Sequence, residues 1–403
     1  MTTSDAINED KETYEANCIK QVREGVKDLI DKRYDTKWNI LRWLQSNDFI
    51  ISKTIYQLRK HLKFRKERKL DEDESESLLQ FSVARDKYMP LSIVGTNRKN
   101  GDRLIAVDLA GRTDVAGLLK AVQPTEYLHT MFRVFETLQR KLMKMEEELN
   151  VQCYVYYIFD LEGLSFDPTL LSVVNGAFRV SWQQTAVHYR EFIDKFIVVN
   201  SPSYINVLWA AISPFIPENS RHRIVFAGND WKEELLEICD ADFLPVRYGG
   251  VIADEKVIRE VGPVPQELYW SPRPDQPKAD QLHKISIAPS KHRLLTFKID
   301  SPTRVLLYSY NESEIVFSLF YGKEENTPEG DLEVMVCPVP KCGMTCVDMF
   351  DYICDVPGFY TLKLANEASW LMSSTYKFMV RDESGEELKP INFDEKWIKK
   401  GRK

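Results

Sequence analysis

Residues 128–159, LHTMFRVFETLQRKLMKMEEELNVQCYVYYIF, place two hydrophobic periods back to back. Leu128, Met131, Phe135, Leu138, Leu142, Met145 and Leu149 step by three and four, the single apolar stripe of a helix, and the polar Asn150 suits its stop. Val151–Phe159 then runs almost unbroken through β-branched and aromatic residues, the composition of a parallel strand buried on both faces. A helix that delivers the chain into such a strand is part of a crossover unit, which sets the class as α/β with a mostly parallel sheet.

The flanking stretches extend that reading. Leu91–Gly95 and Leu104–Leu109 are expected as strands joined across Asn100-Gly101, a pair that tolerates positive φ. Downstream, Asp167-Pro168 opens a helix to about Phe192, Phe196–Val199 is a strand, Tyr204–Ile216 a helix and Ile224–Ala227 a strand. Asp230 and Glu233 form a capping-box-like pair that opens a helix to Cys239. In residues 1–70, Ile40, Leu41, Leu44, Ile55, Leu58 and Leu62 recur at helical spacing, which predicts a small helical lobe. Its basic run Lys60–Lys69, followed by Asp71-Glu72-Asp73-Glu74, reads as a solvated helix face neutralised by its acidic neighbour. Five prolines between Gly262 and Pro277 break regular structure and predict a stiff linker. Beyond it His292–Ile299, Arg304–Ser309, Ile315–Tyr321, Leu332–Cys337, Phe359–Leu364 and Tyr376–Val380 are short strands of an antiparallel sandwich.

Composition bounds the function. With 403 residues, 43% apolar and 29% charged, and 17 Gly and 19 Pro, the chain is an ordinary multidomain globular protein. The balance of 54 basic against 61 acidic residues gives −7, so an anionic partner must be held by a local patch. Seven cysteines and a charged start, MTTSDAINEDKE, predict reduced thiols in the cytosol. Phe196–Pro217 lacks charge, but Asn200, Pro202, Asn206 and Pro214 break it into strand, turn and helix. No phosphate loop, dinucleotide fingerprint, HExxH or nucleophile elbow occurs. Asp160 and Glu162 sit where an α/β enzyme would place catalytic groups, yet without a base, nucleophile or phosphate loop their expected role is to anchor a loop. Cys337, Cys342, Cys346 and Cys354 lack paired CxxC spacing and read as free thiols, with no metal expected. The unusual segment is 205–216, INVLWAAISPFI: Ile205, Leu208, Trp209 and Ile212 form one face, while Val207, Ala210 and Ala211 widen the apolar surface around it. Either it is a core helix buried all round, or it lines a lipid cavity or touches a bilayer.

Ordered motifs then carry a resemblance over most of the chain. They are Ile40-Leu41-Arg42-Trp43-Leu44 before Asp48-Phe49, Arg59-Lys60-His61-Leu62, Ile158-Phe159-Asp160-Leu161-Glu162-Gly163-Leu164 and Phe196-Ile197-Val198-Val199-Asn200-Ser201-Pro202. Pro214-Phe215-Ile216, Trp231–Leu236, Leu244-Pro245-Val246 and Tyr248-Gly249-Gly250 follow in order. Together they resemble the CRAL-TRIO, Sec-fourteen-like lipid-binding family. Cys354–Leu362, Leu364-Ala365-Asn366 with Ser369-Trp370, and Tyr376–Val380 resemble a C-terminal GOLD domain.

The resemblance implies a helical lobe at 1–75, an α/β lipid-binding domain at 76–255, a Pro-rich linker at 256–282, a GOLD β-sandwich at 283–385 and a basic tail at 386–403. It implies no enzyme and no cofactor besides a bound lipid, carried in a pocket gated by Ile205, Leu208, Trp209, Ile212 and Phe215. An enclosed pocket removes the exposure of a lipid tail, which costs about 0.8 kcal/mol per CH₂. Family members that hold phosphatidylinositol place a carboxylate, a hydroxyl and a base at positions that align with Glu191, Ser220 and Arg223. Where choline-lipid binders carry a small hydroxyl residue this chain has Tyr157, which narrows the pocket. The expected ligand is phosphatidylinositol, with tocopherol or a squalene-type isoprenoid next. The expected partners are that lipid, a membrane surface met reversibly at Golgi or endosomes, and a protein bound through the GOLD domain, with no nucleic acid. The alternative is a trafficking or signalling adaptor that uses lipid only as a sensor. The five cations of Lys396–Lys403 beside Trp397 would each add about 1 kcal/mol at an anionic membrane.

Overall fold

The protein was analysed as a computed structural model. It describes residues 3–71, 87–89, 91–166, 176, 178–216, 218–272, 274–341, 343, 346–367 and 369–392, without the side chains of 3–10, 215, 219 and 337. The acidic residues 72–74, the helix opening at Asp167-Pro168, Cys342 and the basic tail 396–403 lie outside the described residues. The described residues of Met1–Thr113, Thr130–Asp167 and Thr185–Gly262 form one unit, and those of Asp114–His129, Pro168–Gln184 and Pro263–Lys403 a second.

In the first unit, helices Thr3–Val26, Lys37–Gln45 and Ile51–Glu67 make the helical lobe. Thr36 caps the second by accepting from the Asn39 amide at 3.1 Å. Ile40, Leu41, Leu44, Leu58 and Leu62 meet Cys18, Ile19, Val22 and Trp43 in one apolar cluster. The basic run divides by face. Lys60, Lys63, Lys66 and Lys69 are exposed, but His61 and Arg65 turn inward and are buried. The expectation of a wholly solvated face is corrected accordingly, because Arg65 finds Glu136 and Asp71 inside the lobe.

The sheet runs β1 (Leu91–Thr96), β2 (Arg103–Asp108), β3 (Tyr154–Asp160), β4 (Ile193–Val199) and β5 (Ile224–Phe226), in sequence order. β1 and β2 are an antiparallel hairpin with Asn100 at φ 53°, and the other three pairings are parallel. The long helix Pro124–Leu149 ends at Asn150, which takes a φ of 53°. On one face Ile105, Val107, Tyr156, Ile158, Ile197 and Val199 pack with Leu235, Leu244 and Tyr248. Gly250 is needed there, because a Cβ would lie 2.0 Å from the Leu244 carbonyl oxygen. The Asp230 side chain makes no cap hydrogen bond to helix Trp231–Ile238, contrary to expectation. Instead Glu234 reaches back to accept from the Gly228 amide at 3.1 Å.

The second unit is a two-sheet β-region. β7 (His292–Ile299), β12 (Gly358–Ala365), β9 (Ile315–Gly322) and β10 (Glu333–Lys341) form one sheet. β11 (Asp348–Cys354), β8 (Thr303–Asn311), β13 (Ser374–Asp382) and β14 (Glu387–Leu388) form the other, and β6 (His283–Ile287) pairs with β13. Phe317 meets Phe350 between the sheets at 4.9 Å. Cys346 and Cys354 are buried free thiols, burial pushing Cys354 up to about 12. Two interior segments of the chain are built into this unit. Gln123 donates to the Val347 carbonyl at 2.6 Å and the Thr125 hydroxyl to Asp348 at 2.6 Å, while Asp348 also holds the buried Lys341 at 2.8 Å. Arg179 pairs with Glu314, and the Trp270 amide donates to the Lys120 carbonyl at 2.7 Å.

Candidate functional site

The carboxyl end of β3 is occupied by an anchor. Asp160 is buried and accepts from the Tyr248 hydroxyl at 2.7 Å, the Asn200 amide group at 2.8 Å and the Glu162 backbone amide at 2.9 Å. Three donors on one carboxylate tie the ends of β3 and β4 to the Tyr248-Gly249-Gly250 turn. Glu162 turns outward and pairs with Arg112, which also reaches Glu260 at 3.2 Å. Both acids therefore serve the loop, the role expected of them without a base, nucleophile or phosphate loop nearby in the sequence.

The opposite face of the sheet is aromatic. Parallel register sets Asp108 beside Phe159, Tyr157 beside Phe196, and Val198 beside Phe226. Strand alternation then brings Asp108, Tyr157, Phe159, Phe196 and Phe226 to the face away from the packed apolar cluster. The Tyr157 ring stacks on Phe196 at 5.1 Å, and its hydroxyl donates to Asp108 at 2.8 Å. Burial pushes the Asp108 carboxyl up to about 6; the Tyr157 hydrogen bond pulls it down and the nearby Asp160 charge pushes it further up. Asp108 did not stand out in the sequence, since a lone acid ending a strand does not announce its partner.

Over this face comes helix Ile205–Ile212, with the short turn Ser213–Phe215 behind it. Trp209 meets Phe226 edge-on at 5.2 Å, which places the helix on the Tyr157 side of the sheet. Leu208 is buried, and Ile205, Trp209 and Ile212 are partly so. Val207 is 52% exposed, Ala210 and Asn206 are exposed, and Phe226 is 39% exposed. The segment is thus not a core helix buried all round, and its second apolar side faces outward. Tyr204, just before it, donates to the Leu164 carbonyl at 2.7 Å and sets its ring against the exposed Phe166. Phe215 lies in the short turn, its side chain outside those described.

Glu191, Ser220 and Arg223 gather at the other end of the sheet, where β4 and β5 begin. Arg223 pairs with Glu191 and donates to the Ile193 carbonyl at 2.8 Å. Ser220 contributes its carbonyl, which accepts from the Arg223 amide at 3.2 Å. Glu191 stands not on the helix, which ends at His188, but in the turn after it at φ 49°. This left-handed conformation is uncommon for Glu, and its pairing with Arg223 holds the side chain in place. The pair is charge-balanced and partly open to solvent, so a phosphate and sugar hydroxyls can be met by a guanidinium and a carboxylate side by side.

Comparison with known proteins places these features. The CRAL/TRIO domain model matches residues 91–250, and a model described as F28H7_8_C-like, C-terminal domain, matches residues 268–389. The CRAL-TRIO domain-containing protein F28H7.8 of Caenorhabditis elegans is 63% identical over 389 residues, covering 96% of this chain and 95% of that protein. Protein ctg-1 of Caenorhabditis elegans is 24% identical over 360 residues, covering 85% of this chain and 91% of its own. Among solved structures, that of Sfh5 covers 56% of this chain and 82% of its own at 15% identity, with a TM-score of 0.31.

Proposed function

We propose, from the premise that this chain belongs to the CRAL-TRIO family and so binds and transfers lipid rather than catalysing a reaction, that it takes one phosphoinositide at a time from a membrane and presents it there. The observation that carries this reading is the aromatic face of Tyr157, Phe159, Phe196 and Phe226 beneath a helix whose outer side is also apolar. Acyl chains lie against that face, and helix Ile205–Ile212 moves to admit them. Glu191, Ser220 and Arg223 hold the headgroup: the guanidinium takes the phosphate while the carboxylate and hydroxyl take the ring hydroxyls. The work divides along the chain, with the helical lobe at 1–75, the lipid domain at 76–255 apart from the segments 114–129 and 168–184 that join the β-region, the connecting segment at 256–282, and a GOLD-type docking domain at 283–385 with its tail at 386–403. The GOLD-type domain supports reversible association with Golgi or endosomal membranes as part of this reading. Among the described residues no helix is long and apolar enough to cross a membrane.

Native mass spectrometry with lipid extraction tests the ligand. A stoichiometric phosphoinositide is expected, and the Glu191→Ala, Arg223→Ala double variant should hold it roughly tenfold more weakly, the equivalent of one charge-assisted hydrogen bond. Removing both partners leaves no orphaned charge, so the fold should persist. A tocopherol or squalene-type lipid would keep the transfer reading and remove the headgroup assignment; an empty protein that also takes up no lipid from vesicles would favour the adaptor.

The gate has its own test. Trp209→Asp sets a charge where an aromatic ring meets Phe226, and transfer between vesicles is expected to slow about tenfold, the worth of one buried aromatic side chain. Unchanged transfer by this variant would take the helix out of the exchange step.

A further inference from the structure

Far along the chain from the lipid face, the loop between β12 and β13 holds Trp370, Leu371 and Met372 at 80%, 68% and 73% exposure. We infer that this loop is a membrane tip that enters the surface of an anionic phospholipid bilayer. The inference rests on the lipid-carrier reading, which requires the protein to meet a membrane, and it names the surface that does so.

Three consecutive large apolar side chains held this far out are rare on a soluble domain. They are not the product of a slack loop. Buried Asn366 donates to the Ile287 carbonyl at 3.1 Å and the Met372 carbonyl at 2.9 Å. The Ser369 hydroxyl donates to the Met372 carbonyl at 2.9 Å and accepts from the Met372 amide at 3.1 Å. The Ser369 carbonyl accepts from the Ser290 amide at 2.8 Å. The turn is therefore closed on itself and on residues 288–291 through Asn366, Ser369 and Met372. Tryptophan at the tip suits the interface, with an apolar ring and one N–H for the headgroup level.

Charge favours the anionic surface. Lys291 stands exposed on the turn against which the loop is pinned, and Lys284 is exposed on the neighbouring β6. The loop's own acid, Glu367, shares His292 and Lys363 with Glu329, at 3.5 and 3.9 Å for Glu367 and 3.7 and 2.9 Å for Glu329. An apolar tip with exposed lysines on the supporting turn and strand binds anionic lipid by burial and attraction together.

Sedimentation of the full chain with vesicles of phosphatidylcholine, with and without phosphatidylserine, tests this. The triple variant Trp370→Ser, Leu371→Ser, Met372→Ser should lose about tenfold or more in vesicle partition at unchanged Tm, because the three side chains touch little of the protein. The pair Lys284→Glu, Lys291→Glu should lose binding only to the phosphatidylserine vesicles. Triple-variant binding equal to that of the parent chain would overturn the inference. So would a parent chain that binds neither vesicle, which would leave the tip to a protein partner. Lipid loading, measured separately by extraction, keeps the readings apart: a chain that carries no lipid yet loses vesicle binding with the tip would retain the inference and lose the carrier.

Discussion

Arg65→Ala is expected to destabilise the helical lobe by about 3–5 kcal/mol, the usual loss when one partner of a buried ion pair is removed. The Arg65 side chain is only 4% exposed and donates to both Glu136 oxygens, at 2.7 and 3.0 Å, and to Asp71 at 2.6 Å. It also lies 4.1 Å over the Tyr34 ring. Without it the Glu136 carboxylate keeps the Tyr189 hydroxyl at 2.8 Å and no described cation, in a site closed to water. Helix Ile51–Glu67 would then keep apolar contacts such as Phe64 against Phe132 to helix Pro124–Leu149, without this ion pair. Urea unfolding monitored by circular dichroism reads the effect; a shift below about 1 kcal/mol, the worth of a surface pair, would show that the network contributes little. Replacing Arg65 and Glu136 together by apolar residues of similar size should restore much of the loss, because the penalty lies in the charge left behind.

Acid should unfold the same lobe early. The Nδ1 atoms of His61 and His188 stand 3.1 Å apart, a hydrogen bond that needs one N–H and one lone pair. Burial, then the charges of Arg68, Arg190 and Arg65, push His188 down to about 3. His61 lies well below its usual value through burial and then His188, Arg65 and Arg190. The other groups against the pair are rings: Phe64 stacks on His188 at 3.6 Å, and Trp43 and Tyr34 flank His61 at 5.0 and 5.3 Å. A base whose pKa is lower folded than unfolded binds its proton first in the unfolded chain. Its contribution is therefore complete above pH 6.5 and is lost as pH falls toward 3. For His188 alone the loss between pH 7 and pH 4 is about 3 kcal/mol. The test compares urea midpoints at pH 7 and pH 4 for the parent chain and the His61→Phe, His188→Phe variant. A variant that loses as much stability as the parent would acquit the histidines.

Both predictions join a residue that the sequence presented only in a basic run or a family motif, Arg65 or His61, to one it did not single out, Glu136 or His188, which marks what was legible and what was not. Local period and local turn chemistry were: the stripe from Leu128 to Leu149 with its stop at Asn150, the Asn100-Gly101 hairpin and the strand His292–Ile299 all stand where the pattern put them. Strand β11, DMFDYIC, escaped notice because its opening acid looks like a turn residue until Lys341, seven residues before it, and Thr125, far off in the chain, are placed beside it. Strand β6 is five residues long and follows the prolines, too short for alternation to register. At the site, alternation divided the β3 tyrosines between two faces, but only the neighbouring strands told which face was already packed. The pairing of Glu191 with Arg223 likewise joins residues 32 positions apart. Asp230 illustrates the opposite error, a good capping residue by type whose helix found its polar contact at Glu234 instead.

The two interior segments that belong with the β-region, 114–129 and 168–184, bear on how the chain is made. A ribosome delivers both long before β11 or Glu314 exists, so Gln123, Thr125 and Arg179 emerge without the groups they are to meet. The sheet and its lobe lie within residues up to Gly262, but segments 114–129 and 168–184 cannot be tied down until the last third of the polypeptide has been released. For the same reason no single cut yields two complete halves: cleavage near Gly262 strands pieces of the β-region on the wrong fragment. Birth and breakdown are therefore each governed by the whole length of the molecule, whichever half does the carrying.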